Sequence, residues 1–338
     1  MADKKRELRE LKDAAEVARL QELSVYERDD MGFANSKLIQ ATFPYRDTGE
    51  RQWTSTNGGM SVTITALSGK HGLPYGTYPR LLMIWLTGKV VENARSFDPE
   101  DPARRKIFFG NHLSTFMEEL GIEARYGSHT DFKGNVVESN SMRLAEQIRR
   151  VFNLNINIES VYEVEDKAVE SYTNTLISQN LELYWDKHSS PDQYSLLDSY
   201  VVLSEDFFDF LKSRPVPVDL GMLRKLKSSA MALDLYVWLT YRAFYARRPF
   251  VVTVPDLMRQ FGTTLDPDKA SDRRDFMIKF KRAVKKMHKV WPETAEVLKS
   301  GEKKLHVIPR GKGLSVHPMK PSVPPKGGSK TKKPRRRG

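Results

Sequence analysis

The chain has no cysteine among its 338 residues. Disulfides, thiol nucleophiles and every cysteine-based zinc site are excluded together. Nor is there an apolar run near the ~18–20 residues needed to span a bilayer. The opening "MADKKRELRELKDAAEVARL" lacks the apolar core of a secretory signal. No G-x-x-x-x-G-K-[ST] phosphate loop occurs, so a Walker-type ATPase is not expected, and the Gly58-Gly59 pair reads as a turn. The histidines are His71, His112, His129, His188, His288, His306 and His317; no two stand two residues apart and none form H-E-x-x-H. That disfavours a nicking enzyme with a tyrosine nucleophile and a metal held by a His-hydrophobic-His cluster. Tyr75, Tyr78, Tyr236 and Tyr241 sit in or beside apolar helices and read as core. The expectation is a cytoplasmic protein with no metal, no cofactor and no covalent chemistry.

Acid is scarce where base is dense. The net charge is +12, yet residues 318–338 alone hold eight Lys or Arg and no acid. This tail, "PMKPSVPPKGGSKTKKPRRRG", is too rich in Pro, Gly and Lys to bury a core and reads as a disordered, polyanion-seeking segment. The rest is ordinary: 39% hydrophobic, with sixteen Phe and five Trp, is enough for real cores. The length suits two domains.

Within that body an apolar hexapeptide recurs, "LMIWLT" at Leu82–Thr87 and "LYVWLT" at Leu235–Thr240. The segments after the two copies also match. After the first come a polar break (Asn93–Arg104), a short strand "KIFF" and the helix "NHLSTFMEELG" with a terminal Gly. After the second come "FVVTV" and "PDLMRQFG", with Thr253 as a possible cap and again a terminal Gly. A third helix comes next in each, at Glu138–Leu154 and at Lys269–Trp291. Strand-like segments complete each copy: "NINIESVYEVED" and "YTNTLISQNLELYWD" in the first, "ETAEVLKSGEKKLHVIPRG" and "KGLSVHP" in the second. Helix, strand, helix, helix, hairpin is the order of a winged helix. The predicted fold is therefore α+β with two tandem winged-helix domains, in which Trp85 and Trp238 are core residues. Predicted boundaries are a 1–56 N-terminal arm with a charged helix at 7–23, a 57–192 first domain, a 193–317 second domain and the 318–338 tail. The segment "NGGMSVTITAL" (Asn57–Leu67) alternates like a strand and reads as an ordinary sheet strand or, less simply, as a dimerisation edge.

A helix lying in a DNA major groove needs one packed face and one face of donors. The second copy's third helix offers Arg273, Arg274, Lys279, Lys281, Arg282, Lys285, Lys286 and Lys289, with no Glu from Arg273 to Trp291. The first copy's offers Arg143, Gln147, Arg149 and Arg150, with Ser128, Thr130 and Lys133 just upstream. Arg273, Arg274, Lys281 and Arg143 are the expected base readers. Arg282, Lys285, Lys286 and Lys289 are expected to position phosphates.

Five stretches carry a family resemblance: "LPYGTYPRLLMIWLT" (Leu73–Thr87), "FMEELG" (Phe116–Gly121), "LAEQIRRVFN" (Leu144–Asn153), "RPVPVDLGMLRKLKSSAMALDLYVWLTYRAF" (Arg214–Phe244) and "FVVTVPDLMRQFG" (Phe250–Gly262). Together they resemble the plasmid-encoded RepA replication initiators, from about Met60 to about His317. The resemblance implies a protein that binds repeated double-stranded origin sequences, helps open the duplex and recruits the host initiator and helicase. It implies a monomer–dimer equilibrium, with dimers repressing their own gene. It also implies that the second winged helix reads the repeats while the first adds backbone contacts and the dimer surface. The acidic insert "SFDPEDPARR" (Ser96–Arg105) and the longer loop before Glu138 depart from the family pattern. A winged-helix transcription repressor would share the same chemistry; tandem repeats beside the gene would favour the initiator.

Overall fold

The computed structural model describes residues 31–40, 43–123, 129–130, 136–164, 167–184, 198–213, 215–245, 250–262, 264–291, 307–308 and 313–316. The helix expected at 7–23 and the basic tail lie outside them.

The chain is mixed α+β. Three strands come first, β1 (Met31–Asn35), β2 (Gln52–Asn57) and β3 (Met60–Ala66), then the long helix α1 (Tyr78–Ser96), β4 (Lys106–Phe108) and α2 (Leu113–Glu119). Two short paired strands, β5 (His129–Thr130) and β6 (Val136–Val137), precede α3 (Asn140–Phe152). Next are β7 (Leu154–Val164), β8 (Lys167–Leu176), β9 (Ser178–Glu182), β10 (Tyr200–Leu203) and α4 (Glu205–Lys212). After β11 (Pro215–Asp219) and α5 (Leu220–Leu226) the pattern returns: α6 (Ala230–Tyr245), β12 (Phe250–Val252), α7 (Val254–Phe261), α8 (Ala270–Val290), β13 (Val307–Ile308) and β14 (Gly313–Val316).

Local chemistry accounts for the helix starts. Ser139, Ser204, Asp219 and Thr253 each accept a backbone N–H from the first turn of α3, α4, α5 and α7. The two terminal glycines answer different needs. Gly121, after α2, takes φ +68°, where side chains are strained. Gly262, after α7, lies so near α8 that an added Cβ would come within 2.8 Å of the Phe276 ring.

Strand pairing corrects two expected boundaries and places the first copy's hairpin. In the first copy the hairpin β7–β8 does not pair with β4; it joins β2 and β3 in a four-stranded sheet of order β2-β3-β7-β8. Ile156 and Ile158 of β7 stand opposite Ile64 and Val62 of β3, and this apolar match draws the hairpin there. The strands that pair beside β4 are β9 and β10, in the order β4-β10-β9, which repeats the β12-β14-β13 order of the second copy. The predicted boundary between 192 and 193 thus separates two hydrogen-bonded neighbours, β9 and β10. Residues 31–56 are likewise no arm, because β1 pairs with β11 and β2 with β3. β3 lies between β2 and β7, so it is not a free edge. In the second copy β13 pairs antiparallel with β14, Val307 opposite Leu314 and Ile308 opposite Gly313.

The repeated hexapeptide occupies equivalent core sites. Trp85 (9% exposed) packs edge-on against Phe116 of α2 at 4.8 Å, and Trp238 (2% exposed) packs edge-on against Phe261 of α7 at 5.6 Å. Such pairs each add about 0.5–1.5 kcal/mol beyond area burial. α6 continues its core through Phe261, Phe280 and Phe276 of α7 and α8.

The two copies are joined by a buried ion pair. Arg80 of α1 donates from Nε and Nη2 to the two carboxylate oxygens of Asp234 in α6, each at 2.8 Å. The same guanidinium donates to the Phe43 and Gly76 carbonyls and lies 4.8 Å over the Tyr45 ring. Burial works against its charge, but Asp234 outweighs that and raises the Arg80 pKa; burial likewise drives the Tyr45 hydroxyl well above its usual range. Asp234→Ala strands this cation, and we expect a loss of about 3–5 kcal/mol in urea unfolding. Adding Arg80→Met should recover much of it, because no buried charge is then left unpaired.

Candidate nucleic-acid interface

α8 is amphipathic in a way that leaves one face for a partner. Phe276, Phe280, Ala283, Val284 and Met287 are buried, each at most 4% exposed. They anchor the helix on α5, α6 and α7. The opposite face carries Arg274, Lys281, Arg282, Lys285 and Lys289, all exposed. Asp272, in the first turn, is spent on the Asp266 backbone N–H. Asp275 is the acid that shares the outer face, 4.0 Å from Arg274.

Three further side chains were expected here. Lys279 is exposed on the flank, and Lys286 is half-buried and bonded to Ser228 Oγ, at the loop before α6. Both line an open groove with Arg282, Arg46, Thr48 and Ser228. Arg273 departs from expectation. It lies on the packed side of the helix and donates to the Pro267 and Asp268 carbonyls, tying the incoming loop to the first turn. The donating nitrogen braces the fold, and the position on the packed side sets Arg273 apart from the exposed cations of the outer face.

The first copy's α3 is a different surface. Arg143 is exposed, lying 5.2 Å over the Tyr78 ring. Gln147 is buried, and its side-chain oxygen accepts the Tyr75 backbone N–H at 3.0 Å. Arg150 donates to Glu146, Asp47 and the Leu73 carbonyl, each at 2.9 Å. Arg149 is half-buried and 3.8 Å from Glu146. Gln147 and Arg150 are therefore committed to the protein's own fold, which corrects their reading as DNA contacts. The cause is the stretch running from Asp47 and the Leu73–Tyr75 strap, which covers this part of the helix. Of the upstream candidates, Ser128 and Lys133 lie outside the described residues, and Thr130 is known only as part of β5.

Sequence reasoning missed Arg46, which is far from α8 in the chain and carries no local signal. Among the described residues no group of three His, Asp or Glu could hold a metal ion, and no helix is long and apolar enough to cross a membrane.

Comparison with known proteins then decides the family. Residues 73–249, just over half of the chain, match the family described as "Plasmid encoded RepA protein". The chain belongs to the plasmid-encoded RepA family. It is therefore placed among DNA-binding replication initiators. No curated protein matches it. Solved structures similar to it include two of RctB: domains 2-3 (12% identity, TM-score 0.44, covering 73% of this chain and 81% of that one) and a selenomethionine form of domains 2 and 3 (11%, 0.44, 72% and 82%).

The network around Arg150 has its own pH signature. Burial opposes the ionised Glu146, but the Arg150 and His71 side chains win and hold its pKa below the usual range; Asp47 is lowered in the same sense by Arg150 and the Gly49 N–H. Such carboxylates stabilise the fold above their ordinary pKa and lose that contribution as pH falls through the lowered values. Arg150→Ala should thus lower the urea midpoint at neutral pH, with the deficit shrinking in acid. Its salt slope for DNA binding should match that of the unaltered protein.

Proposed function

We propose that this RepA-family protein initiates plasmid replication by reading repeated duplex sequences at its origin, with α8 as the recognition helix. The observation that carries this is the outer face of α8: five exposed cations on a helix whose other side is pinned by aromatic packing. Phosphates supply the opposite charge, and a rigid helix can bring Arg274 and Lys281 to guanine edges in the major groove. Arg282, Lys285 and Lys289 continue that face and position the backbone. Lys279, Lys286 and Arg46 line the groove beside it.

In this reading each copy of the repeat is a winged helix. α1, β4, α2 and α3 with β9–β10 form the first; α6, β12, α7 and α8 with β13–β14 form the second. The matched strand orders support this. The first unit then runs from β2 through α4, with β1 bonded to the second unit's β11. Arg143 and Arg149 remain its candidate donors and serve as auxiliary contacts. Opening the origin would draw on binding energy and DNA distortion, where bending a site costs on the order of 1–6 kcal/mol. No covalent step is required of the protein. Host initiator and helicase are the partners such a role needs, and a dimer would repress the gene.

A binding titration at several salt concentrations tests the proposal, comparing the repeats upstream of the gene with random duplex. We expect a preference of ~10³ or more for the repeats. Equal, salt-steep binding to both would overturn specific recognition. Within the specific complex, Arg274→Ala should cost about 1–3 kcal/mol and relax selectivity at one base pair. Lys285→Ala should weaken all DNA about equally and reduce the salt slope by about 1. Identical effects of both changes on repeats and random DNA would refute the division between reader and positioner.

A further inference from the structure

Ile278 stands at the middle of the α8 outer face and is 45% exposed. Its four helical neighbours on that face are Arg274 and Asp275 behind it and Lys281 and Arg282 ahead, all exposed. Among the described residues it is neither in the core nor among the apolar side chains packed against that core. A β-branched residue is also a poorer helix former at an exposed site than the Lys, Glu or Ala that could replace it. Packing and helix propensity thus give no reason for an isoleucine here, whereas a partner presenting one small apolar group amid negative charge does.

Duplex DNA presents such a group. The thymine C5 methyl projects into the major groove beside the hydrogen-bonding base edges, with phosphates on either side. We propose that Ile278 reads a thymine by contact with its methyl group, between base pairs met by Arg274 and Lys281. A second copy of this chain is a poor alternative occupant, since it would bring like charge against like. The inference rests on α8 being the recognition helix and adds the base class that the cations cannot specify. Arg and Lys select guanine; an isoleucine selects thymine and rejects cytosine, whose edge bears an amino donor and no methyl.

The test begins with selection of bound duplexes from a random library by the full-length protein. Each thymine of the consensus is then replaced singly by deoxyuridine, which removes the methyl and leaves the Watson–Crick edge unchanged. At one position the unaltered protein should lose about fourfold in affinity, the worth of one buried methyl. Ile278→Ala, an exposed change that favours the helix, should bind the intact site several-fold less tightly and be indifferent to deoxyuridine at that position. If every thymine-to-deoxyuridine change affects both proteins alike, the Ile278 assignment is overturned while recognition by the protein stands. A library that yields no consensus overturns specific recognition itself, and the Ile278 contact with it. A drop in sedimenting mass for Ile278→Ala without DNA would overturn the assignment in favour of self-association.

Discussion

The Arg80–Asp234 pair is the contact on which the arrangement of both copies depends. Its two charges come from helices that each open a copy of the repeat, so burying them together fixes α1 against α6. The pairing is bidentate, at 2.8 Å for both oxygens, and the remaining guanidinium donors reach the Phe43 and Gly76 carbonyls. A buried charge tolerates few geometries, because any other leaves it desolvated and unpaired. Here the ion pair supplies register, and the antiparallel β1–β11 pairing supports it from a second side.

Its reach extends to the faces that could meet DNA. By holding Phe43 and stacking on Tyr45, Arg80 positions the stretch that continues through Arg46 and Asp47. Asp47 then closes over α3 through Arg150, while Arg46 turns toward the groove beside α8. One short segment therefore covers the third helix of the first copy and adds a cation beside that of the second. The copies share an architecture and differ in what has been laid over them. That asymmetry, more than the raw number of basic residues, is why α8 is the stronger candidate for base reading.

How much of this was legible in the sequence depends on the range of the interactions involved. Helices α1, α2, α3, α6, α7 and α8 were readable because caps, terminal glycines and apolar spacing are local. The core roles of Trp85 and Trp238 were readable because the hexapeptide repeats. Strand partners were not: β7 comes after α3 where a wing strand would be expected, and only its match with Val62 and Ile64 sends it to β3. The same limit explains Gln147 and Arg150. On a helical wheel they resemble base readers, and nothing nearby in the chain announces the Tyr75 N–H or the Asp47 carboxylate that occupies them. Arg273 belongs with them, since its angular position on α8, near the packed side, outweighs its charge.

The outer face of α8 breaks rules that a purely structural helix would keep. Lys281 and Lys285, Arg282 and Lys285, and Lys285 and Lys289 stand three or four residues apart, and like charges so placed cost about 0.2–0.5 kcal/mol per pair. Glu at alternate positions would remove that cost and add pairing. A β-branched side chain sits exposed among these charges as well. Each departure is small, and the aromatic anchors on the other face are strong enough to carry their sum. They make physical sense together if the helix completes its interactions outside the chain. Under the proposed function duplex DNA would do so term by term: phosphates would neutralise the repelling cations, guanine edges would take up the guanidinium donors, and a thymine methyl would cover the isoleucine. The repulsion that α8 carries in the free protein would then be part of the free energy released on binding, and it would be released fully only at a site that satisfies all three.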